Sequence, residues 1–183
     1  AGTQSIIKAI DNKALVKVVD SSQAKLDELM LVYGSNNVEY ILSSEESIQT
    51  SINESDLVIG SVYVVGKEAP KVITKEMLSS MSPGTVMVDV SIDQGGCFET
   101  SKPTTHDNPT FLENDIVHYC VTNMPGAVPL TATEALNKVT LSYIDKLANN
   151  GISNALSSDK HLMNGLNMQN GKIVHPGVIE ALS

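Results

Sequence analysis

The sequence predicts an α/β fold: a doubly wound parallel sheet followed by a helical C-terminal segment. Three observations carry that expectation. As far as Val121, short apolar, β-branched runs alternate with helical patterns. Two of these runs close on an acid, Asp20 and Asp93, at the carboxyl end, where open α/β sheets bind their ligands. Beyond Pro129 the periodicity becomes that of a long amphipathic helix.

Taken in order, Ala1 to Ile10 has apolar residues at helical spacing, with no strand ahead of it in the chain. Ala14 to Asp20 reads as a strand and Ser21 to Tyr33 as a helix. Val38 to Leu42 is a short strand, Glu45 to Asn53 a helix, and Asp56 to Val62 a strongly apolar strand. Gly60 breaks that strand near its end, either to let a cofactor approach the backbone or to make room for packing. A helix is expected around Thr74 to Met81. The next strand holds Val86, Met87, Val88, Val90 and Ile92, between the Ser82-Pro83-Gly84 turn and Gly95-Gly96, with Asp93 just past its carboxyl end. Val117 to Val121 is a further strand, with His118 expected to pack in it, and it runs into the Pro/Gly-rich loop Asn123 to Pro129.

In the C-terminal part, Thr131-Ala132-Thr133-Glu134 has the form of a capping box opening a long helix. Leu136, Val139, Tyr143 and Leu147 give it an apolar face, and Gly151 is a natural stop. A second helix is expected over Ile152 to Leu156 and then Asp159 to Met163. It is followed by an Asn170-Gly171 turn and a short helix from Pro176 to Leu182. The domain division expected is 1–128 and 129–183.

Composition narrows the function classes. The chain is 42% hydrophobic with a net charge of −9, which argues against nucleic acid and anionic membrane surfaces as partners. It has neither an apolar run of membrane-spanning length nor a signal peptide pattern, so a cytoplasmic location is expected. Cys97 and Cys120 lack metal-ligand spacing, and no metal is expected. Gly2 precedes Asp20 by about the 20 residues that separate the last glycine of the dinucleotide fingerprint from the ribose-binding acid. Gly2 then stands as that last glycine, with the first two, and the strand feeding them, absent.

Three blocks add specificity: Ile92-Asp93-Gln94-Gly95-Gly96-Cys97, Lys102-Pro103-Thr104-Thr105-His106, and Asn123-Met124-Pro125-Gly126-Ala127-Val128-Pro129. With Asp56 to Gly60 and Ala69-Pro70-Lys71, they resemble bacterial alanine dehydrogenases in order and spacing along essentially the whole chain. The resemblance implies a Rossmann-like NAD-binding domain followed by the C-terminal return into a substrate domain. It also implies NAD-dependent conversion of L-alanine and water to pyruvate, ammonia and NADH, in a homo-oligomer. Residue by residue, it implies Asp20 on the adenosine ribose, favouring NAD over NADP, with Lys25 and Ser43 near the adenosine. Val62 and Tyr63 would line the nucleotide cleft, and Val90, Asp93, Asn123 and Met124 would surround the nicotinamide and substrate. Asp93 is the catalytic candidate, since a carboxylate beside the reacting carbon can move a proton, orient water or stabilise developing positive charge.

The departures are equally specific. The family's N-terminal half, which supplies cationic substrate-carboxylate ligands and an acid/base histidine, does not appear in this sequence. None of His106, His118, His161 and His175 matches that histidine. Leu130 stands where the family usually has a basic residue. The sequence therefore reads as a C-terminal part with impaired activity. A sheet lacking its central first strand would leave two open edges that invite self-association. The alternative reading is a non-catalytic remnant or interaction module with a partial nucleotide-binding surface.

Overall fold

A computed structural model describes residues 1–65 and 68–182. The chain divides into two compact units: Ala1–Tyr63 with Ala69–Thr122, and Val64–Glu68 with Asn123–Ser183.

In the first unit, strands β1 (Val16–Asp20) and β2 (Val38–Leu42) pair in parallel as a ladder of their own. A second ladder runs β3 (Leu57–Gly60), β4 (Val86–Asp89), β6 (Ile116–Tyr119) and β5 (Thr110–Glu113), parallel except for the antiparallel edge strand β5. Helix α1 (Gly2–Asp11) packs against both β1 and β3, which share no ladder with each other. Among the described residues β1 pairs only with β2 and β3 only with β4, so each presents an open edge. Each ladder has its own core. Val18, Val38, Leu26 and Leu29 pack with Ile6 and Ile10 of α1, while Met87, Ile116, Phe98, Cys97, Ile73 and Leu78 fill the core of the larger ladder. Leu57 on β3 stays 52% exposed, so this apolar strand lacks the cover on both faces that its sequence predicts.

Local chemistry explains the helix starts. Helix α2 (Gln23–Tyr33) is capped by Ser22, whose Oγ accepts from the Lys25 amide, and Gly34 closes it at φ 68°. Helix α3 (Glu45–Asn53) opens with a reciprocal Ser44–Ser47 capping box.

Four expectations are corrected. Strand β4 ends at Asp89, short of Ile92, because the Asp89 carboxylate accepts from the Ser91 amide and turns the chain into a 3-10 turn over Ile92–Gln94. The helix near Thr74 to Met81 is a 3-10 turn, Glu76–Ser80. Ser79 and Ser80 donate to the Glu76 and Met77 carbonyls in place of a lengthening helix, and Pro83 follows closely. Strand β5 is an addition to the parallel plan, joined to β6 by Asn114 and Asp115, both at positive φ. The Thr131–Glu134 capping box does not form, because the long helix opens earlier, on Pro129.

The second unit carries that helix, α4 (Pro129–Ser158), kinked at Gly151, where φ is 71° and ψ 161°. Asp159 caps α5 (Lys160–Asn164) by accepting from His161 and Leu162 amides, and it also pairs with Lys146. The Lys146 ammonium holds the Asp159 carboxyl below its usual range. Strands β7 (Met168–Gln169) and β8 (Lys172–Ile173) form a hairpin through Asn170-Gly171, and α6 (Pro176–Ala181) follows. Leu136, Val139, Leu141 and Ile144 of α4 are exposed. Among the described residues no helix is long and apolar enough to cross a membrane.

His118 packs inside the larger ladder as expected. Its Nδ1 donates to the Ile116 carbonyl, its Nε2 accepts from the Thr100 hydroxyl, and its ring stacks on Phe111. Burial, the largest cause, pushes its pKa down, so the folded chain holds it neutral. The unfolded chain then binds the extra proton first as pH falls. Stability should be intact above about pH 6.5 and decline as pH drops below that value, towards the lowered folded pKa. Urea midpoints between pH 8 and 5 check this. A flat profile across that window would refute it.

Candidate functional site

The parallel register brings the carboxyl ends of the strands level within each ladder: Asp20 lies opposite Leu42, and Gly60 opposite Asp89. The sequence-expected residues of the first unit lie in the segments leaving these ends. Asp20 closes β1 half-buried. Its Oδ1 accepts from the Ser22 amide at 2.8 Å, and its carbonyl accepts from the Ser43 amide at 2.9 Å, which ties the two strand exits together. Among the described residues no donor reaches Asp20 Oδ2, leaving an acceptor for a further hydroxyl. Lys25, in the first turn of α2, turns its ammonium to Glu28 at 2.8 Å, and that hydrogen bond raises its pKa. Gly2 begins α1 beside Ser61. An added Cβ would meet the Ser61 side chain at 3.6 Å, so the helix N-terminus stands next to the β3 exit.

The β3 and β4 exits form one hydrogen-bonded assembly. The Val90 amide donates to the Gly60 carbonyl at 2.8 Å. The Ser91 hydroxyl accepts from the Val62 amide at 2.9 Å and donates to the Val62 carbonyl at 2.8 Å. Asp93 is exposed on the 3-10 turn, followed by Gly95 and Gly96 at φ 85° and 77°. Lys71 anchors this turn from outside, donating to the Gly95 carbonyl and, at 2.7 Å, to the Gly96 carbonyl. Tyr63 is 72% exposed. In the second unit Asn123 sits at φ 54°, exposed, with its carbonyl accepting from the Gly126 amide, and Met124 opens a short 3-10 turn.

Gly60 resolves in favour of packing. A Cβ there would meet Phe98 Cζ at 2.6 Å and crowd Cys97 Sγ, both fully buried. The residue that sequence reasoning missed is Asp89. It is fully buried, and its carboxylate accepts from the amides of Ser91 at 2.9 Å, Cys97 at 2.8 Å and Phe98 at 3.3 Å, and from the Ser101 hydroxyl. The one sequence signal was an acid inside an apolar strand, where an ionised group persists only if fully hydrogen-bonded.

Known proteins bear on this arrangement. A family model described as alanine dehydrogenase/PNT, C-terminal domain, matches residues 1–176. The chain belongs to the alanine dehydrogenase/PNT family. An alanine dehydrogenase of Halomonas elongata is 47% identical over 180 residues, covering 98% of this chain and 48% of that protein. One from Staphylococcus haemolyticus is 44% identical, covering 99% of this chain and 48% of its own length. The chain thus spans about half the length of the curated relatives it matches. A solved L-alanine dehydrogenase superposes with a TM-score of 0.85 at 44% identity, over 99% of this chain and 50% of that one. A transhydrogenase from Sinorhizobium meliloti shares the fold at a TM-score of 0.73 and 22% identity. Within the alanine dehydrogenase/PNT family this chain is a Rossmann-like α/β member, and the relatives named here at 44–47% identity are alanine dehydrogenases by name.

Proposed function

We propose that this chain is the nucleotide-binding part of an NAD-dependent alanine dehydrogenase. The reaction takes L-alanine, NAD⁺ and water to pyruvate, ammonium, NADH and a proton, reversibly. The observation that carries this reading is Asp20. It closes β1 with one carboxylate oxygen already held by Ser22 and the other open, level with the exit of β2 and near Ser43. A carboxylate so placed accepts from ribose hydroxyls and repels a 2′-phosphate, which favours NAD over NADP.

The remaining roles follow the same edge. The N-terminus of α1 at Gly2 offers free amides and a positive dipole end to the pyrophosphate. Lys25 and Ser43 border the adenosine, Val62 and Tyr63 the cleft, and Val90 the nicotinamide. Bound NAD⁺ would supply the hydride-accepting chemistry of the reaction. Asp93 provides a carboxylate that stabilises the positive charge developing at the amino-bearing carbon and orients the water that attacks it. The working enzyme is cytoplasmic and homo-oligomeric, with 1–128 serving the nucleotide and 129–183 returning to the substrate domain.

Calorimetric titration of NADH into the chain tests the reading, with Asp20→Ala as control. Saturable binding is expected, weakened at least about tenfold in Asp20→Ala by loss of a charge-assisted contact. Absence of binding by a chain that is folded by circular dichroism would overturn it. A second reading, a non-catalytic module keeping a partial nucleotide surface, draws on the separation of the sheet into two ladders. It would be favoured by NADH binding with no turnover after the additional half seen in the longer relatives is supplied.

A further inference from the structure

We propose that Asp89 is the positioning residue of the nicotinamide end of the site: its buried carboxylate holds the turn that presents Asp93 and locks that turn to Val62. The inference rests on the nucleotide-site reading above.

The physical problem is a carboxylate with no accessible surface and, among the described residues, no ion-pair partner. Such a group is costly to bury unless hydrogen bonds replace its water. Here three backbone amides, one hydroxyl and the Cys97 thiol do so, and all five donor groups belong to the segment Ser91 to Ser101. Asp89 Oδ1 takes the Ser91 amide and, at 3.5 Å, the Cys97 thiol, while Oδ2 takes the Cys97 and Phe98 amides and the Ser101 hydroxyl. Both ends of the turn carrying Asp93 are thus pinned to one rigid strand residue. A carboxylate suits this because its two oxygens can accept from several donors at once. An asparagine would turn an NH₂ group against at least one donor.

Two further contacts extend the hold. Gly96 has no Cβ, and one built there would meet Asp89 Oδ2 at 2.8 Å, so the turn closes directly over the carboxylate. Ser91, whose amide Asp89 holds, grips Val62 through both its donor and its acceptor. The β3 exit and the Asp93 turn therefore move together. Nothing in this network reaches Asp20, which belongs to the other ladder. Asp89 should therefore govern one end of a dinucleotide and leave the other alone.

The test compares NADH with ADP-ribose, which lacks the nicotinamide, on the full chain and its Asp89→Asn variant. Asp89→Asn is expected to weaken NADH about tenfold, the effect of losing a hydrogen bond to a charged group, while ADP-ribose stays within about twofold. Equal losses for both ligands, or no loss for NADH, would overturn the proposal, since a merely structural role would weaken both alike. Amide hydrogen exchange supplies a ligand-free reading. Ser91, Cys97 and Phe98 should exchange about tenfold faster in the variant, with Leu26 and Leu29 of α2 unchanged. Unchanged exchange in the turn, or acceleration throughout, would count against the proposal. Should the unaltered chain bind neither ligand, the nucleotide-site reading falls, and the exchange pattern alone decides whether Asp89 holds the turn. Should Asp89→Asn fail to fold, Ser91→Ala decides, because it keeps the carboxylate and the Ser91 amide and removes the hydroxyl that grips Val62. A loss confined to NADH supports the proposal, and equal losses or none overturn it.

Discussion

Gly60→Ala is expected to destabilise the first unit by about 1–3 kcal/mol, the usual effect of overpacking a filled core. The new methyl would sit 2.6 Å from Phe98 Cζ and 2.7 Å from Phe98 Cε1, and closer still to Cys97 Sγ. Neither neighbour has room to retreat. Both are fully buried, Phe98 among Ile73, Leu78 and Met87, and the Cys97 amide is held by Asp89. Relief has to come from the backbone, either by pushing β3 outward or by shifting the Cys97–Phe98 segment. Equilibrium urea unfolding measures the change, expected as a lower midpoint at an unchanged slope. A variant with unaltered stability but weakened NADH binding would instead assign Gly60 to cofactor approach.

Native Cys97 should be close to inert towards thiol reagents. Burial, followed by the neighbouring Asp89 charge, pushes its pKa up to about 12. At pH 8 a thiol with that pKa is thiolate in roughly one molecule in ten thousand, against about a quarter for an ordinary cysteine. Alkylation through the thiolate therefore slows by about a thousandfold before limited access is counted. Burial likewise raises Cys120. Iodoacetamide labelling followed by mass spectrometry should find neither thiol modified in the folded chain and both modified in urea. Labelling of native Cys97 at the rate of a small free thiol would contradict the packing around Asp89.

Much of the first unit was legible along the chain. Val38–Leu42 and Glu45–Asn53 have the limits their patterns predict, Ser22 and Gly34 act at the helix boundaries their residue types imply, and Gly151 breaks the helical backbone of α4 as a kink. These are local effects: side-chain periodicity, a hydroxyl that caps, a glycine that accepts positive φ. The Asn114-Asp115 turn was equally local and was missed because the run before it, Thr110 to Glu113, is short and polar at both ends. The Thr131 capping box failed for a different reason. Pro129 supplies a ready first helical residue, so the helix had already begun before Thr131 could cap it.

The candidate site divides in the same way. Asp20 closes β1, the strand end its pattern predicts, whereas Asp93 lies in the 3-10 turn beyond β4, which stops at Asp89. Asp89 was hidden because its meaning depends on donors two to twelve residues later folding back over it. Gly60 was ambiguous because the residues that crowd it, Cys97 and Phe98, come far along the chain.

The sequence by itself determined most of the order of strands and helices, the place of Asp20 at the end of β1 and the family to which those blocks belong. Only the tertiary structure decided that the strands form two ladders bridged by α1, that β4 stops at a buried carboxylate, and that the Asp93 turn is bound to Val62. The physical reason is range. Propensity, capping and periodicity act over a few residues, whereas edge pairing, close packing and the hydrogen bonding of a buried charge depend on groups that only folding brings together.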